Sequence, residues 1–97
     1  MSAKGYQYRQ FFIPDYMVEG LDRWIEHGIL PGDFLTAVLC NDLMDACGRA
    51  DATNIGNLPA YCAYLYNEAP RACFGSRANV EAWIKTKRGR LEMPESA

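Results

Sequence analysis

The chain has 97 residues, of which 49% are hydrophobic and 12% aromatic, and a formal net charge of −2. That composition describes one domain with a real core, since chains of this size hide roughly 60–65% of the surface their unfolded form exposes, and it excludes a disordered polymer. It also excludes binding to nucleic acid through a global positive field and, with no apolar stretch near the ~18 residues that a span requires, a transmembrane helix.

The first thirteen residues end in Tyr6-Gln7-Tyr8-Arg9-Gln10-Phe11-Phe12-Ile13, a run with β-propensity that must stay extended before Pro14. It reads as an extended aromatic arm, residues 1–13, with room for a short strand. Pro14 suits a first helical turn, and Met17, Val18, Leu21, Trp24 and Ile25 repeat at helical spacing until Gly28 supplies a C-cap. Glu19, Asp22, Arg23 and Glu26 take the opposite face of this first helix. After the breakers between His27 and Asp33, a second helix is expected from Pro31 or Asp33 to Gly48. Its apolar residues cover far more than one core-facing stripe, and Phe34 and Val38 fall outside the main arc. Such a helix is central to its own fold or buried in an oligomer interface, which makes Phe34 and Val38, with Tyr6 and Tyr8 of the arm, candidate interface residues of a homo-oligomer.

Asp51 is a plausible N-cap for a third helix whose apolar stripe, Ile55, Leu58, Cys62, Leu65, Tyr66 and Ala69, runs across Pro59. The proline demands a kink or a fresh start near Asn57. Pro70 ends this helix, and Ser76 caps a last one carrying Val80, Trp83 and Ile84 and finishing before Gly89. The fold expected is therefore all-α: a small bundle of about four helices in one helical domain, residues 14–88, with the aromatic arm in front and a mobile tail, 89–97, behind.

Charge is uneven, with net −4 over residues 1–51 and +2 over 52–97. Cys40, Cys47, Cys62 and Cys73 have neither zinc nor redox-pair spacing and sit among apolar neighbours, so four free and mostly buried thiols are expected, as in a reducing compartment. The chain opens without a basic segment followed by an apolar run, which points to a cytoplasmic protein.

His27 is the only histidine; it excludes metal sites built on several imidazoles, and at a helix C-terminus it has a dipole role that needs no catalysis. Asn41, Asp42, Asp45, Arg49, Asp51 and Asn54 form a dense polar set. Arg49 can pair with Asp45 one turn back or with Asp51, holding the turn between the second and third helices, a structural reading, or can hold an anionic ligand with Asn41 and Asn54 as amide donors and Tyr61 or Tyr64, which lie off the apolar stripe, as stacking faces. Lys85, Lys87, Arg88 and Arg90 can touch phosphate or simply complement a helix C-terminus. No phosphate-cradling loop or nucleophile elbow is present, so no catalytic residues, metal or cofactor are assigned and a non-enzymatic protein is expected.

Two stretches, residues 14–51 and 65–83, resemble a type of small uncharacterised protein encoded by tailed phages and prophages. The residues that carry the likeness are Tyr16-Met17-Val18-Glu19-Gly20-Leu21, the run from His27-Gly28-Ile29-Leu30-Pro31-Gly32-Asp33 through Phe34-Leu35-Thr36-Ala37-Val38-Leu39, Asn41-Asp42-Leu43, Arg49-Ala50-Asp51 and Leu65-Tyr66-Asn67. No catalytic residues are assigned to that type, so the resemblance carries none over to this chain. The resemblance implies an accessory protein in the host cytoplasm that binds and sequesters a host factor or a small nucleotide immune signal. The alternative is a small protein-binding regulator without a pocket, acting through the acidic face of the first helix or the basic tail.

Overall fold

The structure, a computed structural model, describes residues 2–92, with side chains through residue 89. The tail expected to be mobile lies, from residue 93 onward, outside the described residues. The protein is mostly helical, with one two-stranded sheet: β1 (Gln7–Tyr8), β2 (Phe11–Phe12), α1 (Asp15–His27), α2 (Asp33–Leu39), α3 (Leu43–Arg49), α4 (Ala52–Gly56), α5 (Leu58–Glu68), a 3-10 turn (Arg71–Cys73) and α6 (Arg77–Glu92).

The aromatic arm is a docked hairpin. β1 and β2 pair antiparallel with Gln7 opposite Phe12 and Tyr8 opposite Phe11, and both strands pack on α5. Asp22 of α1 holds the start of the chain, accepting from the Ala3 N–H at 2.8 Å and the Ser2 hydroxyl at 2.6 Å. Ala3 and Ile13 are buried, so the hairpin is part of the core.

α1 has the expected face. Val18, Leu21, Trp24 and Ile25 are buried, and Gly28, at φ 67°, returns its N–H to the Trp24 carbonyl at 2.9 Å. Glycine is needed there twice over, for the left-handed conformation and because a Cβ would stand 2.7 Å from Lys87 Cβ of α6.

The second and third expected helices are each broken, giving six helices among the described residues instead of four. Between α2 and α3, Asn41 takes the left-handed conformation at φ 61°. Its N–H donates to the Val38 carbonyl and that of Asp42 to the Ala37 carbonyl, the paired bonds by which a Schellman motif closes a helix. The Leu39 carbonyl receives the Gly75 N–H at 2.7 Å, and Asp42 starts α3 by accepting from the Asp45 N–H. A continuous apolar helix therefore does not exist, and the interface argument drawn from it fails. Phe34 is buried edge-on against Tyr61 at 5.3 Å, and Val38 is half-buried, while Leu43 and Met44 of α3 are the exposed apolar residues.

The other break is the fresh start at Asn57. Its side chain does two jobs, donating to the Thr53 carbonyl of α4 at 2.9 Å and accepting the Phe12 N–H of β2 at 2.9 Å. Pro59 then sits in the first turn of α5, where its missing N–H costs nothing. α6 runs past Gly89 to Glu92 instead of stopping short.

The core closes through two indoles. Trp24 Nε1 donates to the Cys73 carbonyl at 3.1 Å, and Trp83 Nε1 donates to the Trp24 carbonyl at 3.0 Å, which ties α1, the 3-10 turn and α6 together. The thiols are more exposed than expected: Cys73 is buried and Cys40 half-buried, but Cys47 and Cys62 reach the surface.

Gly28→Ala puts a methyl group into both a left-handed residue and the α1–α6 contact. A loss of about 1–3 kcal/mol is expected, read as a lowered urea midpoint with an unchanged m-value.

Candidate functional site

The polar residues singled out in the sequence do not converge. Arg49, on α3, reaches Asp45 through Nε at 3.0 and 3.1 Å and Asp33 of α2 through Nη1 at 3.1 Å. The hydrogen bond and charge of Asp45, with the charge of Asp33, hold its guanidinium more firmly protonated. These contacts supply the structural pairing of Arg49 in full. Nearby, Asp51 caps α4 by accepting the Asn54 N–H at 2.7 Å and also accepts the Tyr16 hydroxyl at 2.7 Å; that hydroxyl and the Asn54 N–H hold its carboxyl below the usual range.

Asn54, Tyr61 and Tyr64 are inside the protein. The Tyr61 hydroxyl donates to Asn54 Oδ1 at 2.6 Å, and both residues are buried. Tyr64 is 2% exposed and packs edge-on against Tyr6 at 5.1 Å, which also removes Tyr6 from a free interface. Neither tyrosine presents a stacking face, correcting that expectation. Among the described residues the Tyr64 hydroxyl has no hydrogen-bond partner. Burial pushes both phenols up, Tyr64 to about 12, and burial raises the Cys73 thiol to about 11.

Asn41 and Tyr8 belong elsewhere, to a groove of about 560 Å³ between the hairpin, the end of α2, α5 and the turn after the 3-10 segment. Tyr8 enters from β1 and Val38 and Asn41 from the α2 terminus. Cys62, Leu65, Tyr66 and Asn67 form the α5 wall, and Phe74 and Gly75 close the far side. The volume lies in the range of small-molecule sites, and an apolar, aromatic lining with a few polar groups is their usual character.

Two features set this groove apart. The only non-glycine residues with positive φ among those described are Arg9, at 56°, and Asn41, at 61°. Asn41 lines the groove, and Arg9, in the hairpin turn, lies over the ring of Tyr8 with Cζ 5.3 Å from its centroid. A left-handed arginine in a turn that favours Asn or Gly costs on the order of 1 kcal/mol, and such strain gathers at functional sites. The second feature is that Arg71 lies in the same way over Tyr66, at 5.9 Å. Among the described residues neither guanidinium has a carboxylate within ion-pair distance, unlike Arg23, on Glu19, and Arg49.

Cys62, Tyr66, Asn67 and Phe74 are the residues that sequence reasoning misplaced or missed. Cys62 and Tyr66 belong to an apolar stripe that was carried across the break at Asn57, but α5 turns Ala60, Tyr61, Tyr64 and Leu65 inward and leaves Cys62 and Tyr66 outward. The missed signal is that Ala60, Tyr61 and Tyr64 themselves repeat at helical spacing once α5 is counted from its own start.

A second hollow, of about 570 Å³, runs along the acidic face of α1. Two of its four carboxylates are engaged within the fold, Glu19 by Arg23 and Asp22 by the N-terminal residues, and Glu26 lies 3.7 Å from His27 Nε2. No helix among the described residues is long and apolar enough to cross a membrane. The chain matches no protein-family model, no curated protein and no solved structure.

The two buried tyrosines should respond differently to loss of their hydroxyls. Tyr61→Phe leaves Asn54 without its donor and should cost about 1–2 kcal/mol, whereas Tyr64→Phe removes an unsatisfied group and should be neutral or stabilising in urea denaturation. The phenols also set an alkaline limit. The unfolded chain releases their protons from pH 10, the folded chain retains them, and stability therefore falls as pH rises from 10 toward 12. The decline, followed by urea midpoints at successive pH values, should be shallower when both tyrosines are replaced by Phe.

Proposed function

We propose that this chain is a non-enzymatic accessory protein, of the phage-encoded type it resembles, that acts in the host cytoplasm by capturing a small ligand in the groove between the hairpin and α5. The observation that carries this reading is the groove's lining. Aromatic and aliphatic walls with Asn41 and Asn67 as hydrogen-bonding groups suit recognition, because they offer contact area and directional polar contacts. They suit catalysis poorly. The thiol in the lining, Cys62, reaches the surface but is partly desolvated by its neighbours, which pushes it up and lowers its thiolate fraction and its value as a nucleophile at neutral pH.

The alternative, a regulator working through the acidic face of α1, has less support because Glu19 and Asp22 on that face are already bound to partners within the fold. Nor does the groove reading need self-association, since Phe34 is part of the core.

Native mass spectrometry of the protein purified from infected or signal-challenged cells tests this reading. A co-purifying small molecule is expected on the wild type and should be absent from Cys62→Trp, which puts an indole into the groove from its α5 wall while leaving the helical circular dichroism spectrum intact. A wild-type protein that carries no ligand from challenged cells, or a ligand that Cys62→Trp retains, would reject the groove as the capture site.

A further inference from the structure

The groove's polar groups also specify the kind of molecule it takes. Tyr8 and Tyr66 each carry an arginine on the ring, Arg9 at 5.3 Å and Arg71 at 5.9 Å. A guanidinium held over an aromatic ring by cation–π attraction still has N–H groups with which to grip an anion. With no carboxylate partner among the described residues, both charges are available in a chain whose net charge is otherwise negative. Tyr8 and Tyr66 both line the groove, and the rest of the lining is aromatic and apolar, with Phe74 and Leu65 and with Asn41 and Asn67 contributing amides.

A purely aliphatic ligand would leave the arginines and amides unused, and a bare anion would leave the aromatic walls unused. Resting on the capture reading above, we infer that the groove binds a planar aromatic ring bearing an anionic group. The ring lies on the aromatic walls, Asn41 or Asn67 bonds its polar edge, and Arg9 and Arg71 hold the phosphate or carboxylate. The left-handed backbone of Arg9 then has a purpose: it sets the guanidinium over Tyr8, a ring that lines the groove.

The test is a titration of isotope-labelled protein, followed by amide chemical shifts, with adenosine monophosphate, adenosine, indole acetate and inorganic phosphate. Adenosine monophosphate, indole acetate or both should perturb Tyr8, Asn41, Cys62, Tyr66 and Phe74. The stronger of the two tells whether the anion is a phosphate on a nucleoside or a carboxylate on a simple ring. Adenosine should bind roughly tenfold more weakly than its monophosphate if the phosphate arm is the one used, and inorganic phosphate should not perturb the aromatic walls. Arg9→Asn, which tolerates the left-handed backbone, and Arg71→Gln, on the surface, should each weaken binding roughly threefold to tenfold with melting temperature unchanged. Absence of groove shifts with both anions overturns the inference, and so do arginine variants that bind like the wild type. If both anions fail while Cys62→Trp still abolishes capture of the co-purified molecule, the groove remains the capture site and only this choice of ligand falls.

Discussion

A buried indole N–H that finds no acceptor costs on the order of 1–3 kcal/mol, and Trp24 is completely buried. Its acceptor is the carbonyl of Cys73, 49 residues further along the chain, and its own carbonyl takes the N–H of Trp83. These two bonds fix where the 3-10 turn and α6 lie against α1. Once the 3-10 turn is placed, Gly75 lies within reach of the Leu39 carbonyl, so the end of α2 is satisfied from outside its own helix. Phe74 and Gly75 become the far side of the groove by the same constraint. The position of the candidate site thus descends from the need to satisfy one side-chain donor in the core.

Asn57 does the comparable work on the other side. A single amide closes α4 and holds β2, which makes the hairpin a fixed wall of the groove. Both breaks in the helices are sited at asparagines, Asn41 by its left-handed backbone and Asn57 by its side chain. Each lets the chain turn without leaving buried polar groups unpaired.

α1 is legible in the sequence because its face, its opposing charges and its terminal glycine all agree, and the local signals match the tertiary contacts. The break between α2 and α3 is less legible. Asn41 and Asp42 are a cap and a start placed side by side, but the apolar residues on both sides continue at helical spacing, and periodicity outweighs two polar residues when no partner is visible. What decides the matter is the Gly75 N–H on the Leu39 carbonyl, a contact across 36 positions that no local pattern contains. The same limit explains the site. Tyr61 and Tyr64 look like surface rings only while the phase of α5 is borrowed from α4, and Arg49 looks available only while Asp33 is a helix away. Asn41 and Tyr8 were singled out for separate reasons, and the shared groove that unites them is a product of the hairpin's docking.

The seven-residue α3 buries only Ala46, and a helix this short has little persistence of its own in water. Its amides are consequently placed to exchange with solvent through local opening, whereas those of α1, anchored by four buried side chains, depend on cooperative unfolding of the core. Asn41, just before this weakly held segment, stands at the boundary between the two regimes. The groove therefore has walls fixed by the core, on α5 and the hairpin, and one edge, at Asn41, that can breathe on the timescale of sub-global opening.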